Sequence, residues 1–447
     1  MAEEDRLPLP DIPHYQEAMR TWQTSLNASD PKTEPLRSGR PLLRPMKRGG
    51  KDILEPIYWN GDWAVVYRFD GPIGPRAVRC QRRRSQKFMH DVVRRYRCLR
   101  TQLDTYRPRS FVGIDTIEEG LLAAGEMRPL ITMDWVEGVR LNRFLLDRLV
   151  DGDLWRIREA TQEFLENVLD LERHGIAHGD LQERNILIGD DNRMKFIDYD
   201  SVYCETLRSE FESNLQGGHS NYQHPSRNAP DFDGTLDRFS AIVILLSMVA
   251  AYRDPPLWRE VVAPGGDPHD QQMLFVKGDF LEPDVSPVFR YLLGSRDAYM
   301  RRMAELTLEA LKARRLTEIR TFESMLLEVP GCAVKGQFKA PPLNPNLRLH
   351  RDGRGAHGGA ANHPGGTLSV LSPSAPLPPA PPSIMDPPVP PVTIAIARPQ
   401  AAFDSAPPPP PPPEQGHARA SPTPPPPPPP PPPLPARIRI PRPMGAE

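Results

Sequence analysis

Residues 178–185 read HGDLQERN, and residues 194–200 read MKFIDYD. The first stretch carries Asp180 and Asn185, and Asp198 follows thirteen residues after that asparagine, at the end of an apolar run. A phosphoryl-transfer site needs a carboxylate that orients the attacking hydroxyl and oxygen ligands that hold magnesium. Two acids and one amide, separated by two short strand-like runs, supply that set.

The chain of 447 residues exceeds one ordinary domain, but its last part is not built to fold. Residues 371–447 hold 32 of the 57 prolines, including unbroken runs at 407–413 and 424–433. Proline lacks a backbone donor and has a fixed φ, so these runs favour extended polyproline II and bury no core. Four regions are therefore predicted: an N-terminal extension (1–50), a folded domain (51–330), a Gly- and His-rich linker (331–370) and a disordered proline-rich tail (371–447).

The charge, the cysteines and the N-terminus indicate which partners and which compartment to expect. A formal net charge of −1 provides no global field that attracts nucleic acid or a membrane surface. The four cysteines are far apart and form no CxxC motif, which predicts reduced thiols rather than a disulfide framework or a zinc site. The N-terminus does not resemble a signal peptide, and the apolar stretch 239–252 is too short to span a bilayer. We expect a cytoplasmic protein with no nucleic-acid or membrane partner.

Apolar spacing divides the folded part into a strand-rich and a helix-rich half. In the first half, strands are predicted at 57–59, 63–68, 77–80, 111–117 and 130–135, with a helix at 85–103. In the second half, helices are predicted at 141–150, 154–174, 236–252, 291–293, 299–314 and 317–327, with short strands at 186–188 and 194–197. This order predicts an α+β fold.

In these motifs the chain resembles the eukaryotic-type protein kinase family, in particular its bacterial members, over about residues 56–330. The resemblance implies a bilobal fold, with a small β-rich N-lobe (about 51–135) and a larger α-helical C-lobe (about 136–330), and ATP and Mg²⁺ as cofactors. HGDLQERN is similar to the catalytic loop, in which Asp180 would orient the substrate hydroxyl, Asn185 would hold magnesium and His178 would buttress the loop. Asp198 stands where the metal-binding aspartate of the DFG motif stands.

Three further segments resemble the same family. The sequence MDWV is similar to the hinge between lobes, where the backbone of Asp134 and Val136 would bind an adenine and Met133 would guard the back of the pocket. NYQHP at 221–225 is similar to the end of an activation segment. Asp237 resembles the helix aspartate that pins the backbone of the catalytic loop.

The nucleotide-binding half departs from the family pattern. Where the family has GxGxxGxV, residues 59–66 read WNGDWAVV, so that Gly61 remains, Ala64 replaces the last glycine and Val66 follows. Glycines matter at this place because backbone amides must approach phosphates closely. The resemblance therefore implies a weakened phosphate cradle.

The strand that should read VAIK contains Ala77 and, in place of the phosphate-binding lysine, Arg79. Arginine also binds phosphate, but as a planar fork rather than a point charge. The helix at 85–103 offers no glutamate to pair with it, and the register of Asp91 fits poorly, so the partner stays unassigned. The alternative is that Arg79 is an exposed strand residue.

The two central motifs also differ. HRD has become HGD, so no arginine at this position can receive a phosphate from the activation segment, which disfavours activation by phosphorylation. DFG has become Asp198–Tyr199–Asp200, and Asp200 either adds a carboxylate near the metals or caps the following turn.

Three functions remain open from the sequence. The first is ATP-dependent phosphoryl transfer to Ser or Thr of a protein substrate. The second is a pseudokinase or scaffold that acts through its surface, and the third is a small-molecule phosphotransferase similar to aminoglycoside or choline kinases. The proline-rich tail either binds an SH3-, WW- or profilin-like module or serves as a passive spacer.

Overall fold

The computed structural model describes residues 9–48, 51–61, 63–82, 85–215, 217–228, 230–261, 273–334 and 336–345. All of them lie within residues 1–356, which cluster as one unit. The predicted proline-rich tail and most of the predicted linker lie outside the described residues. The boundaries of the four predicted regions stay predictions.

An antiparallel sheet occupies the first half of the described chain. Its strands follow the order β1–β5–β6–β8–β7, and β4 also pairs with β5. The strands are β1 (Arg40–Pro41), β4 (Tyr58–Asn60), β5 (Ala64–Asp70), β6 (Arg76–Gln81), β7 (Ile114–Ala123) and β8 (Glu126–Asp134). Beside this sheet, β2 (Leu43–Arg48) and β3 (Lys51–Pro56) pair as a separate hairpin.

The sheet is covered by the N-terminal segment. Helices α1 (Ile12–Arg20), α2 (Trp22–Ser25) and α3 (Glu34–Arg37) precede the strands. Strand β5 buries Val65, Tyr67 and Phe69 at alternate positions, because successive side chains in a strand point to opposite faces. These side chains share a core with Tyr15 and Met19 of α1, neither of which is exposed. The start of the described chain is therefore part of the sheet's core.

A long helix, α4 (Gln86–Thr105), connects the sheet to the rest of the molecule. It begins where the Ser85 hydroxyl accepts a hydrogen bond from the Phe88 amide at 3.2 Å, as N-cap serines do. Its buried face, which includes Val92 and Tyr96, joins the core of the helical half. The helix therefore lies against both parts of the fold.

The second half is mainly helical. Its helices are α5 (Leu141–Asp151), α6 (Leu154–Arg173), α7 (Glu205–Arg208), α8 (Arg238–Arg253), α9 (Pro255–Val261), α10 (Lys277–Leu281), α11 (Pro287–Gly294), α12 (Ala298–Leu311) and α13 (Phe322–Leu326). Every residue from Phe239 to Arg253 is buried, so α8 is the central core helix, packed against α6 and α12. Among the described helices, none combines the length and the apolar character needed to cross a membrane.

Two small sheets complete the helical half. One joins β9 (Val139–Arg140), β10 (Ile186–Ile188) and β11 (Met194–Phe196), and the other joins β12 (Ala333–Val334) and β13 (Gln337–Phe338). After β13 the chain packs on the helices, where Arg158 donates to the Pro341 carbonyl at 3.0 Å and the Tyr252 hydroxyl donates to the same carbonyl at 2.8 Å. The predicted α+β class is confirmed in this mixed architecture.

Candidate functional site

The β10–β11 hairpin brings the distant parts of the sequence motif together. Ile186 pairs with Phe196 and Ile188 with Met194, and the Ile197 amide then donates to the Asn185 carbonyl at 2.9 Å. Because the hairpin returns the chain to its starting point, Asp198 follows directly on a residue bonded to Asn185. The candidate site is built at this end of the hairpin.

The Asp180 carboxylate is held from three directions. It accepts hydrogen bonds from the His219 amide at 2.8 Å, from Gln182 Nε2 at 2.9 Å and from Asn185 Nδ2 at 3.2 Å. Asn185 Nδ2 also donates to the Asp180 carbonyl at 2.9 Å. Between the described residues, both hydrogen bonds of this amide use its nitrogen, so Asn185 Oδ1 accepts none of them.

The side chains of His178 and Asp237 hydrogen-bond to the backbone of the loop that carries Asp180. His178 is fully buried; its Nδ1 accepts from the Asp180 amide at 3.3 Å, which leaves Nε2 to donate to the Ile197 carbonyl at 3.0 Å. The Asp237 carboxylate accepts from the backbone amides of His178 and, at 2.8 Å, Gly179. Burial raises the pKa of Asp237, and these donors oppose that rise. Both side chains therefore orient the backbone that carries Asp180.

Gly179 allows this packing. Its φ is +76°, and a Cβ added there would lie 2.0 Å from the Ser201 carbonyl oxygen. A left-handed backbone and a contact of this kind favour glycine. The glycine that replaces the arginine of the family pattern therefore brings the loop against the turn that follows Asp198.

Asp198 has an unusual backbone and an accessible side chain. Its φ of +69° lies in the left-handed region, which is uncommon for residues other than glycine and is tolerated by aspartate. Its side chain is 43% exposed, and Oδ1 accepts from Arg79 Nη1 at 2.7 Å. The carboxylate therefore faces the sheet side of the site and remains open to solvent.

Arg79 is buried and bonded on several sides, so it is not an exposed strand residue. Its Nη1 donates to the Tyr96 hydroxyl at 2.7 Å as well as to Asp198, and its Nη2 donates to Asp200 Oδ2 at 2.5 Å. Burial alone would lower the pKa of Arg79, but the carboxylates of Asp200 and Asp198 raise it well above its usual range. Burial raises the pKa of Asp200 to about 6, against the effect of Arg79. Asp200 is therefore a buried partner of Arg79 rather than a cap of the next turn.

The β4–β5 hairpin contains three of the residues predicted to contact a nucleotide, Gly61, Ala64 and Val66. The Gly61 amide donates to the Ala64 carbonyl at 2.9 Å, and Arg82 Nη1 donates to the Gly61 carbonyl at 3.1 Å. Across the sheet, Val66 is opposite Arg79, and Ala77 is opposite Met133. Val66, Ala77 and Met133 thus lie on three adjacent strands, and the middle strand also carries Arg79.

The hinge-like segment follows β8. The Asp134 amide donates to the Gly113 carbonyl at 2.9 Å, while the Asp134 carboxylate accepts from the Gly113 amide at 2.7 Å. The Trp135 ring lies against Trp59, with 4.8 Å between ring centroids. Among the hydrogen bonds between described residues, none uses the Val136 amide. Of the two predicted adenine-binding positions, Val136 therefore has the available backbone donor.

A cavity of about 820 Å³ lies elsewhere, between α6 and residues 336–339, and none of the predicted site residues lines it. Among the described residues, no group of three or more His, Cys, Asp or Glu side chains is arranged as a metal site. The predicted magnesium ligands number two, and one is an amide. The candidate site is therefore separate from this cavity.

Sequence reasoning missed several supports of the site. Tyr96 follows Val92 by four residues, so its helical spacing indicated the apolar face of α4 but not its bond to Arg79. Arg227 donates to the Gly179 carbonyl at 2.6 Å, and no local pattern indicated this contact, which joins residues 48 positions apart. Burial lowers the pKa of Arg227, although nearby Asp237 and Asp180 raise it. An arginine from a distant segment thus bonds to Gly179, the position at which the HRD motif has its arginine.

Comparison with known proteins bears on the resemblance to protein kinases. No family model matches the chain. The serine/threonine-protein kinase max-2 of Caenorhabditis elegans is 24% identical over 175 residues, which cover 37% of this chain. The match covers 26% of that relative, so the similarity spans about a quarter of its length. This distant and partial similarity weakly supports a kinase-like family.

Proposed function

We propose that this chain is a protein-kinase-like enzyme with a bilobal fold, which transfers the terminal phosphoryl group of ATP to Ser or Thr of a protein. The observation that carries the proposal is the joining of Asp180, Asn185 and Asp198 at one end of the β10–β11 hairpin. Phosphoryl transfer depends mainly on positioning and on neutralising charge, and these three side chains can orient a hydroxyl and hold the magnesium that neutralises the phosphate. The partial similarity to a serine/threonine-protein kinase agrees with it.

The residues fit the implied cofactors. Asn185 Oδ1 and the exposed carboxylate of Asp198 are the hard oxygen ligands that magnesium prefers. Asp180, fixed by three donors, would orient the substrate hydroxyl. Bound magnesium would neutralise phosphate charge. On the sheet side Arg79 supplies a cation for phosphate, and the Val136 amide supplies a donor for adenine.

Transfer from labelled ATP tests this function directly. The full chain is incubated with γ-labelled ATP and Mg²⁺, with mixed protein substrates in one series and aminoglycosides or choline in another. We expect protein labelling that falls at least roughly a hundredfold in Asp180→Asn and Asp198→Asn, because each removes a group that acts in the transition state. The control is Asp151→Asn, a carboxylate that is 54% exposed and paired with Arg148.

The outcome separates the candidate functions. Labelling of only the small molecules would indicate a small-molecule phosphotransferase. Equal labelling by Asp198→Asn and the control would contradict the magnesium assignment. A scaffold function is favoured by the bonds that already occupy Arg79, and the absence of any ATP binding in calorimetry, with or without Mg²⁺, would support it.

A further inference from the structure

Arg79 has few donors to spare for a ligand. A guanidinium carries five N–H groups. Two on Nη1 go to Tyr96 and Asp198, and one on Nη2 goes to Asp200. When the Gln81 amide is oriented to suit its neighbours, its oxygen accepts from Nε at 3.3 Å. One N–H remains, on Nη2, so a phosphate that approaches this arginine would find a single donor.

The two carboxylates on Arg79 differ in exposure. The Asp200 side chain is 3% exposed, whereas the Asp198 side chain is 43% exposed. Releasing Asp200 from Arg79 would leave a buried, unpaired charge, which is strongly unfavourable. Asp198 can exchange its partner for a hydrated cation at much lower cost, because solvent already reaches it. Of the two ion pairs, only the one with Asp198 is suited to exchange.

The buried pair is fixed to its surroundings by a tyrosine. The Tyr96 hydroxyl accepts from Arg79 and also from the Tyr199 amide at 3.1 Å. It therefore links α4, β6 and the turn that contains Asp198 and Asp200. No carboxylate of α4 pairs with Arg79 among the described contacts, so the turn supplies the counter-ion.

We propose that Asp200 is the permanent counter-ion of Arg79, and that Asp198 releases Arg79 when it binds magnesium, which frees a guanidinium N–H for the nucleotide phosphate. This inference rests on the proposed function. Asp200 is then a positioning residue that holds Arg79 in place. Asp198 alternates between two cations, which couples magnesium binding to phosphate binding.

ATP titrations of the full-length protein, by calorimetry in EDTA and in Mg²⁺, test the two roles. Asp198→Asn should bind ATP without magnesium at least as tightly as wild type, because Arg79 has gained a donor, and should gain nothing from Mg²⁺. Asp200→Asn should bind at least roughly tenfold more weakly in both conditions, because Arg79 loses its anchor. The matched control is Asp104→Asn, an exposed carboxylate paired with Arg100 on α4.

Two results would overturn the inference. One is an Asp200→Asn protein that binds ATP as the Asp104→Asn control does. The other is an Asp198→Asn protein whose magnesium-free binding weakens tenfold. If circular dichroism shows that Asp200→Asn does not fold, Tyr96→Phe replaces it as the test variant. This change keeps the charges of Arg79 and Asp200 and should weaken ATP binding severalfold. ATP binding equal to that of the Asp104→Asn control would refute the role of Asp200 in holding Arg79.

The proposed function can fail separately. If wild type labels protein but Asp200→Asn matches the control, the kinase activity stands and this inference falls. If wild type binds no ATP in either condition, the proposed function fails together with the exchange at Asp198. Thermal unfolding then tests whether Asp200 and Arg79 form a permanent pair. If they do, Asp200→Asn should melt several degrees below Asp104→Asn.

Discussion

The loop that carries Asp180 and the hairpin that carries Gly61 both hold predicted site residues, but they are built differently. The loop is fixed by buried groups: Asp237 accepts two of its amides, and His178 bonds it to the strand that precedes Asp198. At the tip of the hairpin, the Gly61 carbonyl accepts from the half-buried Arg82, and the Gly61 amide donates to the Ala64 carbonyl. The difference indicates that the loop tolerates less change than the hairpin.

The largest expected effect is Gly179→Ala. The added Cβ would lie 2.0 Å from the Ser201 carbonyl oxygen, in a left-handed backbone that alanine disfavours. Strain and overpacking together should lower the free energy of unfolding by roughly 3 kcal/mol or more. Urea unfolding measures it, and a loss below about 1 kcal/mol would show that the loop is not rigidly packed.

Gly61→Ala is the matched change in the hairpin, and we expect a much smaller effect. The added Cβ would lie 3.3 Å from the Ala64 carbonyl oxygen, a contact that a small shift relieves. The loss of unfolding free energy should stay below about 1 kcal/mol in the same urea experiment. If Gly61→Ala and Gly179→Ala destabilise the protein equally, the contrast between the two regions is wrong.

The smallest effect concerns pH and His224, which is buried against Phe239 of α8. Burial lowers the pKa of His224 below its usual 6.5, so the unfolded chain takes up a proton more readily than the folded one. Stability from this group is present above pH 6.5 and is lost as the pH falls through the folded pKa. His224→Gln should therefore flatten the fall in melting temperature between pH 7 and pH 5. An unchanged slope would contradict this role.

Local patterns predicted much of the fold. The helix predicted at 85–103 is α4, capped by Ser85, and the apolar run predicted at 236–252 is α8. The hairpin β2–β3 was not predicted, because its strands contain proline and charged residues and read as irregular. Residues 317–327 were predicted as one helix but form a 3₁₀ turn followed by α13. Periodicity therefore identified the long helices and failed where proline, charged residues or a 3₁₀ turn interrupt the pattern.

In the candidate site too, the sequence predicted some contacts and could not predict others. Asp180 and Asn185 lie within one short motif, and their mutual bond joins residues five positions apart. The partners of Arg79 lie 119 and 121 positions away, at Asp198 and Asp200, so no spacing rule could connect them. Their pairing follows from tertiary packing, which a single sequence does not reveal.

The packing of α1 on the sheet determines where the protein can be cut. Tyr15 and Met19 are fully buried against β5, and Asp11 pairs with Arg82 at 2.9 Å, beside the hairpin tip. A recombinant fragment that starts at residue 51 would uncover an apolar surface of the kind that leads to aggregation. Expression trials should therefore start at or before residue 9 and continue beyond residue 345.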